Sequence, residues 1–128
     1  MSWSILIVDD EAMTRKLLRM MLGPAGYEIF EAEDGLDALH QVAKQVPDLI
    51  ILDIMMPNMD GLEVCRRLRA QKETADIPII ILSARTSSHY IEEGLRAGAT
   101  RYLTKPITRQ EILHHVREVL ADVSVRTS

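Results

Sequence analysis

Short, uninterrupted apolar runs alternate with stretches of helical spacing from one end of the chain to the other. The runs at Ser4–Val8 (SILIV), Leu49–Leu52 (LIIL) and residues 79–82 (IIIL) are rich in isoleucine and leucine. Such runs predict strands covered on both faces, as in the interior of a parallel sheet. Residues 27–32 (YEIFEA) alternate instead and have one more polar side, which predicts an edge strand. Arg101–Thr104 predicts a short last strand. Between the runs, Ala12–Leu22 carries Met13, Leu17, Met20 and Met21 at helical spacing and is ended by Gly23, Pro24 and Gly26. Asp34 and Gly35 open a helix reaching Lys44, with Pro47 beyond it. Asp60 and Glu63 have capping-box spacing in a helix containing Leu62, Cys65 and Leu68; Thr108 and Glu111 have it before Ile112, Val116 and Val119. Residues 87–97 (SSHYIEEGLRA) show a thinner apolar stripe, chiefly Ile91 and Leu95, and Gly94 lowers helix propensity, so this helix is expected to be weakly anchored.

Strands and helices in strict alternation imply a parallel sheet with helices on both faces, and right-handed crossovers leave few topologies. The expected fold is α/β: a flavodoxin-like, doubly wound (βα)5 with a five-stranded parallel sheet in the order 2-1-3-4-5. That order makes strands one and three neighbours, and ligand sites in such sheets form in the crevice outside the carboxyl ends of the strands. At 128 residues the chain is sized for one domain with a real core. The domain is expected over residues 1–121, with 122–128 a polar tail or the start of a linker. A composition of 47% apolar and 27% charged residues excludes a disordered chain. A net charge of -4 without any long Lys/Arg run argues against direct nucleic-acid binding. No apolar run approaches the ~20 residues of a membrane helix, and no leader pattern is present, so no membrane contact and a cytoplasmic location are expected. Cys65 is the single cysteine and fits a reducing compartment.

Chemistry enters at the strand ends. Asp9 and Asp10 follow SILIV, Asp53 follows LIIL, Ser83 follows IIIL, and Lys105 follows the last strand. Carboxylates converging at the switch point would repel one another, which calls for a hard divalent cation; Mg2+ suits a site completed by water and phosphate. A carboxylate set against a metal-bound phosphoryl donor can become an acyl phosphate. Asp53 is the candidate nucleophile, with Asp10 holding Mg2+ and Asp9 helping directly or through water. Lys105 can offer a cation to a phosphoryl oxygen, and Ser83 a hydroxyl hydrogen bond. His40, His89, His114 and His115 lack the i, i+4 spacing of a zinc motif. The methionines are read as core filling. In PNMDG after Asp53, Pro57 and Gly61 shape the loop and Asp60 caps the next helix.

From ILIVDDE through LIILDIMMPNMDG and IPIIILSA to AGATRYLTKPI, nearly the whole chain resembles the receiver domains of bacterial two-component response regulators. The resemblance implies that Asp53 is the phosphoacceptor, Asp9 and Asp10 the acidic pair, Ser83 the hydroxyl switch residue and Lys105 the active-site lysine. It further implies a metal set of Asp9, Asp10, Asp53 and the Met55 backbone carbonyl, an aromatic switch at Tyr102 and a cis Lys105-Pro106 bond. Ser83 stands where threonine is common, keeping the hydroxyl without the methyl that restricts its rotamers. Met55 and Arg85 fall where side chains influence the lifetime of the acyl phosphate. The implied donor is a sensor histidine kinase or histidine phosphotransfer protein. The implied output face runs through the 87–97 helix, the Tyr102 strand and the last helix to a downstream output domain or protein. Such a chain is a signalling switch that catalyses only its own phosphorylation and dephosphorylation.

Two other readings use the same residues. A haloacid-dehalogenase-like phosphatase also needs an aspartyl nucleophile, Mg2+, a hydroxyl and a lysine, but requires an aspartate two residues beyond its nucleophile; Asp9 is followed by Asp10 and Glu11. A receiver-like module acting without phosphorylation is disfavoured because every acidic and basic position of the site is filled.

Overall fold

A computed structural model describes residues 2–127. Its elements follow the expected alternation: β1 (Ser4–Val8), α1 (Ala12–Leu22), β2 (Glu28–Ala32), α2 (Gly35–Lys44), β3 (Leu49–Leu52), α3 (Gly61–Arg69), β4 (Ile79–Ser83), α4 (Ser88–Arg96), β5 (Arg101–Thr104) and α5 (Arg109–Thr127). One five-stranded sheet has the order β2-β1-β3-β4-β5, and every pairing is parallel. The fold is thus the flavodoxin-like α/β arrangement that the alternation predicts. β2 is an edge strand, half exposed except at Ala32.

Side chains alternate across the pleat, so the continuous apolar runs feed two cores. Ile5, Ile7, Leu49, Ile51, Ile80 and Leu82 face α1 and α5. Leu6, Val8, Ile50, Leu52, Ile79 and Ile81 face the layer of α2, α3 and α4. Each such side chain contributes about 1.5–3 kcal/mol when fully buried, which makes the middle three strands the rigid part of the molecule.

α1 departs from the face its spacing suggests. Leu18 and Leu22 are buried and Met21 is half-buried, whereas Met13, Leu17 and Met20 are 65%, 46% and 60% exposed. The helix is apolar on two interleaved stripes, and packing against α5 and the sheet selects only one. Reading the methionines as core filling therefore fails for Met13 and Met20, and also for Met55, which is 46% exposed in the loop after β3.

The helix starts follow their capping residues. Asp60 accepts from the Glu63 N–H at 2.9 Å, but Glu63 turns to Arg66 and Arg67, so that box closes on one side only. Thr108 and Glu111 close theirs reciprocally, each backbone N–H donating to the other's side chain at 3.1 Å. Weak anchoring of α4 is borne out: its one buried residue is Gly94, Ile91 is half-buried and Leu95 is 47% exposed. Among the described side chains, the last that α5 buries are Val119 and Leu120, and it continues as helix to Thr127, through the polar segment expected as a tail; Ser128 lies outside the described residues.

Candidate functional site

Register brings the strand ends together. Val8 pairs with both Ala32 and Leu52, and the Asp53 N–H donates to the Val8 carbonyl at 3.0 Å, so Asp9 and Asp53 leave neighbouring strands side by side. Ser83 ends β4 opposite Thr104, and the Lys105 N–H donates to the Ser83 carbonyl at 2.8 Å. The Lys105-Pro106 peptide is cis. Lys105 Nζ lies 2.9 Å from Asp9 Oδ2 and 3.3 Å from Asp53 Oδ2, bridging the two acids. Asp9 and Asp53 are buried and Asp10 is exposed, and one carboxylate oxygen from each lies within 4.8 Å of the others.

The electrostatics follow from one ammonium serving several acids. Burial pushes the Asp53 carboxyl above its ordinary range; Lys105 opposes the shift and the charge of Asp9 adds to it. Burial acts to lower the Lys105 pKa, but its hydrogen bond to Asp9 and the charges of both acids more than offset that, holding the ammonium above its usual value. Asp9 is engaged at both oxygens, Oδ2 by Lys105 and Oδ1 by the Glu11 N–H at 2.9 Å. Among the described residues, no hydrogen bond ties the Asp10 carboxylate. Oxygen donors this close, with more negative than positive charge, suit a hard divalent cation.

The loop after Asp53 is held by sterics. A Cβ at Gly61 would collide with the Asp53 carbonyl oxygen, and the Gly61 N–H donates to the Ile54 carbonyl at 2.9 Å, so only glycine lets α3 start this close to the phosphoacceptor candidate. The Met55 N–H reaches Asp53 Oδ1 at 3.4 Å while its side chain faces outward.

Ser83 is fully buried, and its Oγ accepts from the Arg85 N–H at 3.1 Å. The Tyr102 hydroxyl donates to the Arg85 carbonyl at 2.8 Å, so the hydroxyl and aromatic residues hold opposite sides of the same residue. Burial raises the Tyr102 phenol. A Cβ at Gly94 would lie 2.9 Å from Tyr102 Cδ2 and 2.9 Å from Ile81 Cδ1; the tyrosine ring lies where α4 lacks a side chain. Arg85 is exposed, with its guanidinium 5.5 Å from the centre of the Tyr90 ring.

Two site neighbours are not visible in the strand-end pattern. Arg15 of α1 donates from Nη1 to the Asp9 carbonyl at 2.7 Å and from Nε to Glu31 of β2 at 3.1 Å. In the sequence Arg15 has the polar company of a solvated helix face, and Glu31 reads as the polar side of an edge strand; only their pairing shows what each does.

The comparisons with known proteins agree with this geometry. Residues 5–117 match the family model described as the response regulator receiver domain. Response regulator MprA of Mycobacterium bovis (strain BCG / Pasteur 1173P2) is 46% identical over 120 residues, which cover 94% of this chain and 51% of that protein. MprA of Mycobacterium leprae (strain TN) is 47% identical over 116 residues, covering 91% of this chain and 50% of that protein. The chain thus spans about half the length of the curated relatives it matches. Among solved structures, the chemotaxis protein CheY4 of Vibrio cholerae superposes with a TM-score of 0.88 at 35% identity, covering 93% of this chain and 99% of that one. The signal receiver domain of a signal transduction histidine kinase from Syntrophus aciditrophicus gives 0.89 at 33% identity, covering 95% and 92%.

Proposed function

Since the chain belongs to the response regulator receiver domain family of two-component systems, we propose that it is a phosphorylation-activated switch whose phosphoacceptor is Asp53. The observation that carries this reading is the Lys105 ammonium bridging Asp9 and Asp53 across the ends of β1 and β3. An Asp53 carboxylate oxygen attacks phosphorus, the P–N bond to a donor phosphohistidine breaks, and its electron pair leaves with the imidazole nitrogen. The donor is a sensor histidine kinase or histidine phosphotransfer protein.

Asp10 is the direct Mg2+ ligand in this proposal, with Asp53, the Met55 backbone carbonyl and Asp9 completing the protein's share. Bound there, Mg2+ supplies charge neutralisation and orientation for the incoming phosphoryl group. Lys105 exchanges its carboxylate partners for a phosphoryl oxygen. Ser83 turns its hydroxyl toward the same group and gives up the Arg85 N–H; Tyr102, hydrogen-bonded to the Arg85 carbonyl, responds through that shared residue. A charge-assisted hydrogen bond of about 1.5–3 kcal/mol shifts a two-state equilibrium by roughly one to two factors of ten. The partner face is α4, β5 and α5, acting on a downstream output domain or protein. The receiver unit spans residues 1–121, and the location is cytoplasmic; among the described residues, no helix is long and apolar enough to cross a membrane.

Incubation with acetyl phosphate and intact-mass measurement test the reading. One phosphoryl group is expected on wild type in Mg2+, none after chelation and none on Asp53→Asn. Equal labelling of both proteins would mean that the nucleophile is another residue.

A further inference from the structure

The β1–α1 turn that carries Asp9 and Asp10 is tied from behind by a half-buried ion pair. The Arg15 side chain, only 16% exposed, spans from α1 to the backbone of that turn, donating to the Asp9 carbonyl at 2.7 Å. Its Nε pairs with Glu31 Oε1 at 3.1 Å, and Arg19, one helical turn on, takes the other oxygen at 2.6 Å. Burial would raise the Glu31 carboxyl, but the hydrogen bonds and charges of Arg19 and Arg15 more than offset it and hold it below its ordinary range. Glu31 is itself fixed, because Gln41 of α2 donates to its backbone carbonyl at 2.6 Å. The Asp9 N–H donates to the Ala32 carbonyl at 3.2 Å, so both peptide groups of Asp9 are attached to the β2 side of the sheet, one directly and one through Arg15 and Glu31.

We propose that Arg15 is a positioning residue for cation binding: braced by Glu31, it fixes the turn so that the Asp9 and Asp10 carboxylates face Asp53 before the metal arrives. This rests on the reading of the acidic cluster as a Mg2+ site. Arg15 touches neither a carboxylate of that cluster nor a reacting atom in the contacts above; it acts through the Asp9 main chain. Glu31 offsets only part of the combined charge of Arg15 and Arg19, so the proposed effect of Arg15 lies in the geometry it gives the turn, which must outweigh its residual repulsion of a cation. Outer-shell partners of metal ligands contribute roughly 10–100-fold in metal affinity. A guanidinium is suited to the task, because its planar fork reaches a carbonyl and a carboxylate at once, whereas an ammonium is a point donor.

The test is calorimetric titration of Mg2+ into wild type, Asp10→Ala, Arg15→Gln, Arg15→Lys and Glu31→Gln, with thermal unfolding of each in Mg2+-free buffer. Arg15→Gln is expected to weaken Mg2+ binding about tenfold. Arg15→Lys should recover part of the loss, and Glu31→Gln should weaken binding in the same direction by less, since Arg15 keeps the Asp9 carbonyl. The rate of labelling by acetyl phosphate in Arg15→Gln should fall at limiting Mg2+ and return close to wild type at saturation, a split that general loosening of the fold would not give. Unchanged or tighter Mg2+ binding by folded Arg15→Gln overturns the proposal, as does a rate that saturating Mg2+ fails to restore. If Arg15→Gln does not fold, Glu31→Gln decides, and unaltered affinity there overturns it. Equal binding by wild type and Asp10→Ala would instead sink the metal-site reading, a result distinct from loss in Asp10→Ala with no effect at Arg15.

Discussion

Burying Asp53 works against its own ionisation, and the excess of acid around it leaves the site under electrostatic tension when no divalent cation is bound. A carboxyl whose folded pKa lies above its unfolded one binds more protons in the folded state. Its penalty is therefore absent below the unfolded value and grows as pH rises through the interval up to the raised folded value. Asp53→Asn should be more stable than wild type at neutral pH without Mg2+, by about 1 kcal/mol, in line with other relieved active-site conflicts. Urea unfolding checks this; the gap should close toward acid pH, and a less stable variant would refute the argument. Lys105→Ala removes the ammonium shared by Asp9 and Asp53, so Mg2+ should bind roughly tenfold tighter by calorimetry, while the Mg2+-free protein loses stability. Cys65 has no such role: it is fully buried, with its thiol pushed up to about 11, and alkylation should await unfolding. Asp9, Asp53 and Ser83 stand out as candidates in the sequence because each directly follows an apolar run, Asp10 because it doubles the acid after the first run, and Lys105 because it follows the short last strand. Arg15 could not, since a guanidinium bonded to a main-chain carbonyl leaves no pattern in side-chain spacing.

Elements were legible where hydrophobic runs have only one use. SILIV, LIIL and IIIL are too short and too apolar for anything but buried strands, and their bounds lie within a residue of those observed. α1 was legible as a helix but not as a face, because AMTRKLLRMML carries two neighbouring apolar stripes, Met13/Leu17/Met20 and Leu18/Met21/Leu22, and only its tertiary neighbours choose between them. Leu18→Ala should cost about 2–5 kcal/mol as a core truncation. Met13→Ala should stay within about 0.5 kcal/mol, and chemical denaturation of the pair measures the contrast directly. α4 is the reverse case, predicted correctly to be weakly held, though Leu95 contributes less burial than its place in the stripe suggests. Its buried point is Gly94, where the Tyr102 ring lies against the helix. Gly94→Ala gains about 1 kcal/mol of helix propensity but puts a methyl where that ring sits. The expected outcome is a displaced tyrosine that loses the Arg85 carbonyl, seen as a changed Tyr102 ring environment by NMR and faster amide exchange in α4.

At the scale of the whole molecule, stability and responsiveness are separated. The β1, β3 and β4 strands are sealed between two cores, and they carry Asp9, Asp53 and Ser83 at one end as a fixed frame. The β4–α4 loop, α4 and β5 lie at the far edge of the sheet, with few buried apolar side chains, and regions of that kind open at the low end of the local stability range. A charge added at Asp53 meets a rigid surface toward β1 and a compliant one toward β5. Ser83 and Lys105 stand at the boundary between the two. Hydrogen exchange with Mg2+ and a beryllofluoride mimic of the phosphoryl group should therefore change most over residues 83–105, while β1 and β3 remain protected. Ser83→Ala should reduce the change, since it removes the acceptor for the Arg85 N–H together with the hydroxyl proposed to turn toward the phosphoryl group. A response confined to the loops beside Asp53 would leave the phosphoacceptor assignment intact and disprove the path through Arg85 and Tyr102.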